Sequence, residues 1–183
     1  PLHDLAANGM TEMMQVLIPF LAEDEGGLDV IDKNGRTAIH YAVVEREMAA
    51  AKLLVDWGAS VLTLDELGRA ALWYAAKNGD LTMMNYLLEN DSPVESQCKK
   101  TGRTSLHIAC TLMLNNPNEA EEHFTLVKTL LTYGANVNVQ DSKGDMPIHL
   151  ACGQDNVRLV RVLIKYDCDV NIKNYAGLTP LGA

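Results

Sequence analysis

Apolar positions along the chain fall into two alternating arrangements, each repeated several times. The first is a line in which an apolar doublet follows a glycine: Gly35 to Ala42, Gly68 to Ala75, Gly102 to Ala109 and Gly144 to Ala151 align without gaps, each with Ile39, Leu72, Leu106 or Ile148 at the same offset. The second is an amphipathic run that ends in paired apolar residues and then a Gly or polar stop. Leu53 and Leu54 lead to Gly58, Leu87 and Leu88 to Asn90, Leu130 and Leu131 to Gly134, and Leu163 and Ile164 to Asp167. A tight turn suits glycine, and Thr or Pro just after it fixes the entry to a helix. The closing stop reads as the C-cap of a second helix. The pattern therefore predicts one turn and two helices per period.

A fixed period of this kind makes the repeat the unit of structure. The turn glycines Gly35, Gly68, Gly102, Gly144 and Gly177 are 33, 34, 42 and 33 residues apart. This pattern resembles the ankyrin repeat, with Thr179, Pro180 and Leu181 matching its opening and Gly134, Ala135, Asn136, Val137 and Asn138 its closing segment. The resemblance covers essentially the whole chain. It implies an all-α solenoid of helix pairs joined by β-hairpin-like turns. No unit this short buries its apolar face alone, so neighbours stack and share a continuous core. On this reading residues 1–183 form one domain with a partial repeat at 1–31, repeats at 32–64, 65–97, 98–140 and 141–173, and a partial repeat at 174–183.

Three departures from the period stand out. The repeat between Gly102 and Gly144 carries an insert near residues 114–122, polar, proline-bearing and acidic, expected as a solvated loop or helix extension. The first unit is also long, with an extra turn expected at residues 22–27, and Pro19 should end or kink its second helix. Both ends fall within a repeat and leave Leu2, Leu5 and Leu181 on uncapped stacking faces, as expected for a slice of a longer protein.

Composition narrows the function. The uncharged apolar-leaning run from Met13 to Ala22 contains Gln15 and Pro19 and is too short for a membrane span, and the first residues do not read as a secretory signal. Cys98, Cys110, Cys152 and Cys168 form no Cys-x-x-Cys pair and have no His at zinc-finger spacing, so no metal or cofactor is suggested and free thiols in a reducing compartment fit best. An intracellular setting, cytoplasm or nucleus, is expected. A net charge of −9 argues against general attraction to nucleic acid or anionic lipid.

His3, His40, His107 and His149 share one repeat position and are spread one per unit, so they cannot converge on a metal or form a catalytic pair. The resemblance implies that they hydrogen-bond the backbone of the turns. It likewise places Cys110, Cys152 and Cys168 where small buried residues are usual. No enzymatic constellation is found. More informative is the residue after the turn glycine, which is Arg36, Arg69 and Arg103 in three successive repeats. With Lys33, Lys77, Lys99, Lys100 and Lys143, eight of the fifteen Lys and Arg residues lie on turn tips or the face that the resemblance implies is concave. Glu23, Asp24, Glu25, Glu89, Asp91, Glu95, Glu119, Glu121 and Glu122 lie elsewhere. Such an arginine row suits an extended acidic segment, since guanidinium forks grip carboxylates bidentately. The alternative is pairing with the turn acid of a neighbouring repeat, for which Asp65, Glu66, Asp141 and Asp145 are available.

Trp73 takes the place of the His in its repeat, beside Tyr74, and serves either as core or as a binding anchor with Val44 and Leu112 nearby in repeat position. The expected partner-binding residues are Arg36, Val44, Arg69, Trp73, Lys77, Asn78, Lys100, Arg103, Leu112 and Lys143. The resemblance adds one modification: Asn171, after Asp169 and Val170 and eight residues beyond Leu163, fits the target of an asparaginyl hydroxylase. The expected function is a scaffold or adaptor whose concave face binds an acidic or mixed peptide or loop of a partner protein. One alternative is a regulatory inhibitor resembling the ankyrin inhibitors of Rel-type transcription factors, and another is a structural spacer in a large repeat protein.

Overall fold

A computed structural model describes residues 1–21, 27–112 and 117–182, with only the backbone described at 117–120. Among the described residues there are ten α-helices and no strand, so the fold is the all-α repeat architecture expected. They fall into five pairs: α1 (Leu2–Ala7) and α2 (Thr11–Leu21), α3 (Ala38–Val44) and α4 (Met48–Asp56), α5 (Ala71–Asn78) and α6 (Leu81–Glu89), α7 (Ser105–Thr111) and α8 (Pro117–Thr132), α9 (Pro147–Gly153) and α10 (Val157–Lys165). The chain divides into two compact units, Pro1–Pro93 and Val94–Ala183.

In the first unit the leading helices α1, α3 and α5 stack in order, while α2 packs on α1 and α4, and α4 and α6 each pack on the leading helix of their own pair. The interior is aliphatic and closely filled: Met14, Ile18, Leu54, Leu72, Met83, Met84 and Leu87 are fully buried. Each such side chain contributes about 1.5–3 kcal/mol of apolar burial, which no isolated helix of this length could supply. The second unit repeats the plan, with α7 on α8 and α9, and α10 on α8 and α9, around Leu106, Leu126, Leu130, Ile148 and Leu163.

The turns are paired along the backbone as hairpins stacked edge to edge. Within a turn, the N–H of Asp32 donates to the carbonyl of Arg36 at 2.9 Å; between turns, the N–H of Glu66 donates to Asn34 at 2.9 Å. The second unit does the same through Ser142 to Thr101 and Tyr175 to Lys143. This close approach explains the glycines. At Gly35 φ is +72° and a Cβ would come within 2.7 Å of the Glu66 nitrogen; at Gly102 φ is +65° and a Cβ would lie 2.7 Å from that of Ser142. A side chain would be both strained and in collision.

Two expectations need adjustment. Pro19 does not end α2, which continues to Leu21; the ring lies in the last described turn, where only one intrahelical donor is lost. Cys152 is half-buried rather than core, whereas Cys98, Cys110 and Cys168 are buried. None of the four is in a disulfide, and burial raises the Cys110 thiol to about 12 and that of Cys168 to about 11, which keeps both protonated. Of the expected insert, 117–122 is the start of the lengthened α8, and 114–116 lie outside the described residues, as do 22–26 of the expected extra turn and its acids Glu23, Asp24 and Glu25. No helix among the described residues is long and apolar enough to cross a membrane.

Candidate functional site

The histidine position is structural, and its geometry is the same in each unit. The backbone N–H of Thr37 donates to His40 Nδ1 at 3.2 Å, which leaves the proton on Nε2, and Nε2 donates to the Arg69 carbonyl at 3.2 Å. One imidazole thus ties the entry of its own helix to the turn of the next repeat. His107 repeats the pair with the Thr104 N–H at 3.2 Å and the Asp145 carbonyl at 3.1 Å, and His149 with Met146 and Leu178. His3 reaches the Arg36 carbonyl at 3.0 Å. Burial pushes His40 and His107 below the ordinary histidine value, so both are neutral ring bridges. Among the described residues no group of three or more His, Cys, Asp or Glu is placed to hold a metal ion.

The arginine row does not behave as three free charges. In the first unit Arg69 forms an ion pair with Asp65 at 2.7 Å, with the Asp65 side chain only 1% exposed. Tyr74 donates its hydroxyl to the same carboxylate at 2.6 Å. Burial raises the Asp65 pKa, but the donors from Arg69 and Tyr74 outweigh it and hold the carboxyl below its usual range. In the second unit Arg103 pairs with the buried Asp141 at 3.0 Å. Arg103 thus pairs with the turn acid of the neighbouring repeat, whereas Arg69 pairs within its own turn. Each has little charge left for a partner, because a buried carboxylate without its cation is costly.

Arg36 is arranged differently. Its Nη2 donates to the Tyr74 hydroxyl at 2.9 Å, and the guanidinium lies over the rings of Tyr74 at 5.1 Å and Tyr41 at 6.0 Å. Arg69 in turn lies 4.8 Å over Tyr74 and 5.1 Å over Trp73, and the Lys77 ammonium stands 6.0 Å from the Trp73 ring. Tyr41 donates to Asp32 at 2.8 Å, as Tyr74 does to Asp65. Turn aspartate, arginine and tyrosine therefore interlock from one repeat to the next. The result is a layer in which cations alternate with aromatic faces, each contact worth about 0.5–2 kcal/mol according to its exposure.

The remaining predicted residues separate by exposure and by what their polar atoms do. Trp73 is 7% exposed, so it packs as core under Arg69 and presents little surface of its own. The side-chain amide of Asn78 donates to the carbonyls of Val43 at 3.0 Å and Val44 at 3.1 Å, closing the end of α3, and Val44 is half-buried. Lys77 is exposed in the last turn of α5. In the second unit Lys100 and Lys143 are exposed on turn tips and Leu112 is half-buried at the C-cap of α7. Asn171 is exposed, with its backbone N–H bonded to Asp169 at 2.8 Å. Tyr41 and Tyr74 stand at a fixed offset of nine residues after Asp32 and Asp65, the turn carboxylates to which their hydroxyls donate.

The family model for ankyrin repeats in three copies matches residues 1–65, 61–120 and 119–183. The chain is similar to mouse Rabankyrin-5, with 31% identity over 140 residues, 74% of this chain and 12% of that protein. It is also similar to the human ankyrin repeat and SOCS box protein 16, at 28% over 181 residues, 98% of this chain and 39% of the relative. With the chicken nuclear factor NF-kappa-B p105 subunit it shares 31% over 127 residues, 68% of this chain and 12% of that protein. The chain thus spans a minor part of the length of the relatives it matches.

Proposed function

The chain belongs to the ankyrin-repeat family, a family of non-enzymatic protein-interaction modules, and we propose that it is a scaffold or adaptor that holds a partner segment against the turn tips and leading helices of its first unit. The observation that carries this reading is the cation and aromatic layer of Arg36, Tyr41, Tyr74, Arg69 and Trp73. Stacking fixes the guanidinium planes before any partner arrives, so little side-chain entropy remains to be lost on binding. Because Arg69 is already neutralised by Asp65, the segment that suits this surface is mixed in character: an acidic side chain near Arg36 and Lys77, with apolar neighbours against the exposed Leu67. Asn171, exposed in the second unit, is proposed as a site of hydroxylation; mass spectra showing only the unmodified residue from cells that hold the enzyme would remove it.

The test is quantitative capture of partners by the intact chain and by an Arg36→Glu, Lys77→Glu variant that leaves the Arg69 and Arg103 ion pairs alone. Loss of specific partners with unchanged circular dichroism supports the reading. An unchanged set of partners rejects it. A second reading, as a regulatory inhibitor that covers a basic partner surface, is favoured by the net charge of −9 and by the similarity to the p105 subunit. It predicts the opposite response, with partners lost on Glu121→Lys and Glu122→Lys.

A further inference from the structure

The segment that leads into each turn carries side-chain bonds of its own. Three residues before Asp32, Cys98 and Asp141, Asp29 accepts from the backbone N–H of Ser60 at 2.9 Å, Glu95 from that of Asn136 at 2.8 Å and Asn138 from that of Asp169 at 2.9 Å. Leu62 holds this position before Asp65 and has nothing to accept with, while Pro93, at the position of Ser60 and Asn136, has no N–H to give. Both partners of the bond are gone together, so no polar group is stranded. The position just before the turn changes in the same repeat. Gln97 donates its side-chain amide to the Gly102 carbonyl at 3.2 Å, and Gln140 to that of Gly144 at 2.9 Å. Leu64 stands in their place and cannot donate.

Leu62 is 58% exposed and Leu64 46%, on either side of the half-buried Thr63, which is the alternation of an extended segment. A described repeat precedes and another follows them, so this exposure does not come from where the sequence starts or stops. The equivalent residues Glu95, Gln97, Asn138 and Gln140 are polar, so the fold itself asks for no aliphatic side chain here. The Gly68 carbonyl, counterpart of the acceptors on Gly102 and Gly144, takes no hydrogen bond from the described residues. Two leucines on alternate positions beside an open acceptor offer two kinds of contact, apolar and directional.

We propose that Leu62 and Leu64 form a docking strip for an extended, aliphatic segment of a partner protein, which lays alternate side chains on the two leucines and gives a neutral N–H to the Gly68 carbonyl. The second unit supplies the pattern for this occupant: there the chain's own Gln140 lays a methylene stem across the turn and ends in an uncharged amide on the matching carbonyl. An ammonium suits the place less well, because the neighbouring Asp65 is already committed to Arg69 and Tyr74. An extended occupant fits because its side chains alternate at the same spacing as Leu62 and Leu64. The strip stands apart from the layer around Arg36 and does not rest on it.

The probe is a library of random twelve-residue peptides displayed on phage and selected on the intact 183-residue chain, with the affinity of the winning peptides read by fluorescence anisotropy. Winners with aliphatic residues at alternate positions are expected. Leu64→Gln, which places here the residue found at Gln97 and Gln140, should fill the Gly68 acceptor from within and weaken them about tenfold or more. Leu62→Asn should weaken them as well. Both replacements occur at the same positions in other repeats of this chain or in kind, and circular dichroism verifies that each variant folds. Methylating the peptide amides one at a time should cost about tenfold at a single position, the donor to Gly68. Winners that bind Leu64→Gln as they bind the parent overturn the proposal, as does a selection without alternating aliphatic residues or a peptide in which no methylated amide matters. Arg36→Glu with Lys77→Glu should leave these affinities unchanged, so failure of this strip and failure of the surface around Arg36 are told apart.

Discussion

The second and third repeats, side by side in the first unit, solve the same turn in different ways. In the second, Thr37 and His40 close the helix entry and His40 reaches the Arg69 carbonyl. In the third, Ala70 stands where Thr37 does and has no side chain to cap with, and the indole Nε1 of Trp73 has no hydrogen-bond partner among the described residues. The backbone is unaffected: φ and ψ are −90° and 172° at Thr37, and −77° and 166° at Ala70. What changes is the use of the position. A polar bridge holds the second repeat to its neighbour, while the third gives up that bridge for a large ring under Arg69 and Lys77. The repeat fold therefore tolerates loss of its histidine bond where stacking and burial replace it, and that is where the candidate binding layer is built.

The largest test of this contrast is His107→Ala, which strands the buried Thr104 N–H, removes the tie to the Asp145 carbonyl and leaves a cavity, and should cost about 3 kcal/mol, read from urea unfolding. Trp73→Leu, which removes no protein hydrogen bond, should cost less, about 2 kcal/mol, from lost packing and the lost stacking under Arg69 and Lys77. A larger loss for Trp73 than for His107 would break the comparison.

The arginines should separate next. Arg69→Ala leaves the buried Asp65 without its cation and is expected to cost about 2–3 kcal/mol, whereas Arg36→Ala loses a hydroxyl bond and stacking and should cost about 1 kcal/mol. Equal losses would show that the two guanidinium groups are held alike.

Acid should act in two stages. Neutral His40 and His107 have values below that of the unfolded chain, so the unfolded state takes up more protons once pH drops below about 6.5, and stability falls from there. Asp32 and Asp65 are also held low, because their hydrogen bonds outweigh the effect of burial; the stability they contribute is intact above about pH 4 and is lost as pH falls further. The first stage should be shallower in His107→Ala, as seen in unfolding midpoints taken across the range. The smallest effect expected is a gain: Ala70→Thr restores a cap at a position whose backbone already matches Thr37 and should add up to about 1 kcal/mol. A loss there would mean the ring of Trp73 has taken the space.

Much of this was legible in the chain itself. Period, helix pairs and turn glycines follow from local signals repeated at fixed spacing, which is why they could be read at Gly35 and Gly102 before any contact was known, while the bridging role of His40 and His107 came from the resemblance to the ankyrin repeat. The identity of the arginine row was equally plain, but its state was not. Whether Arg69 was free or paired depended on the distance to Asp65 and the burial of that carboxylate, to which Tyr74 also donates while accepting from Arg36. Sequence alone determined the repeat, because each unit carries its own caps, turns and apolar faces. Tertiary structure decided which charges remain available and which of Trp73 and Lys77 faces solvent. The partners of Arg36 and Arg103, Tyr74 and Asp141, lie 38 residues away along the chain, and even the nearby pair of Arg69 and Asp65 depends on the burial that neighbouring repeats supply.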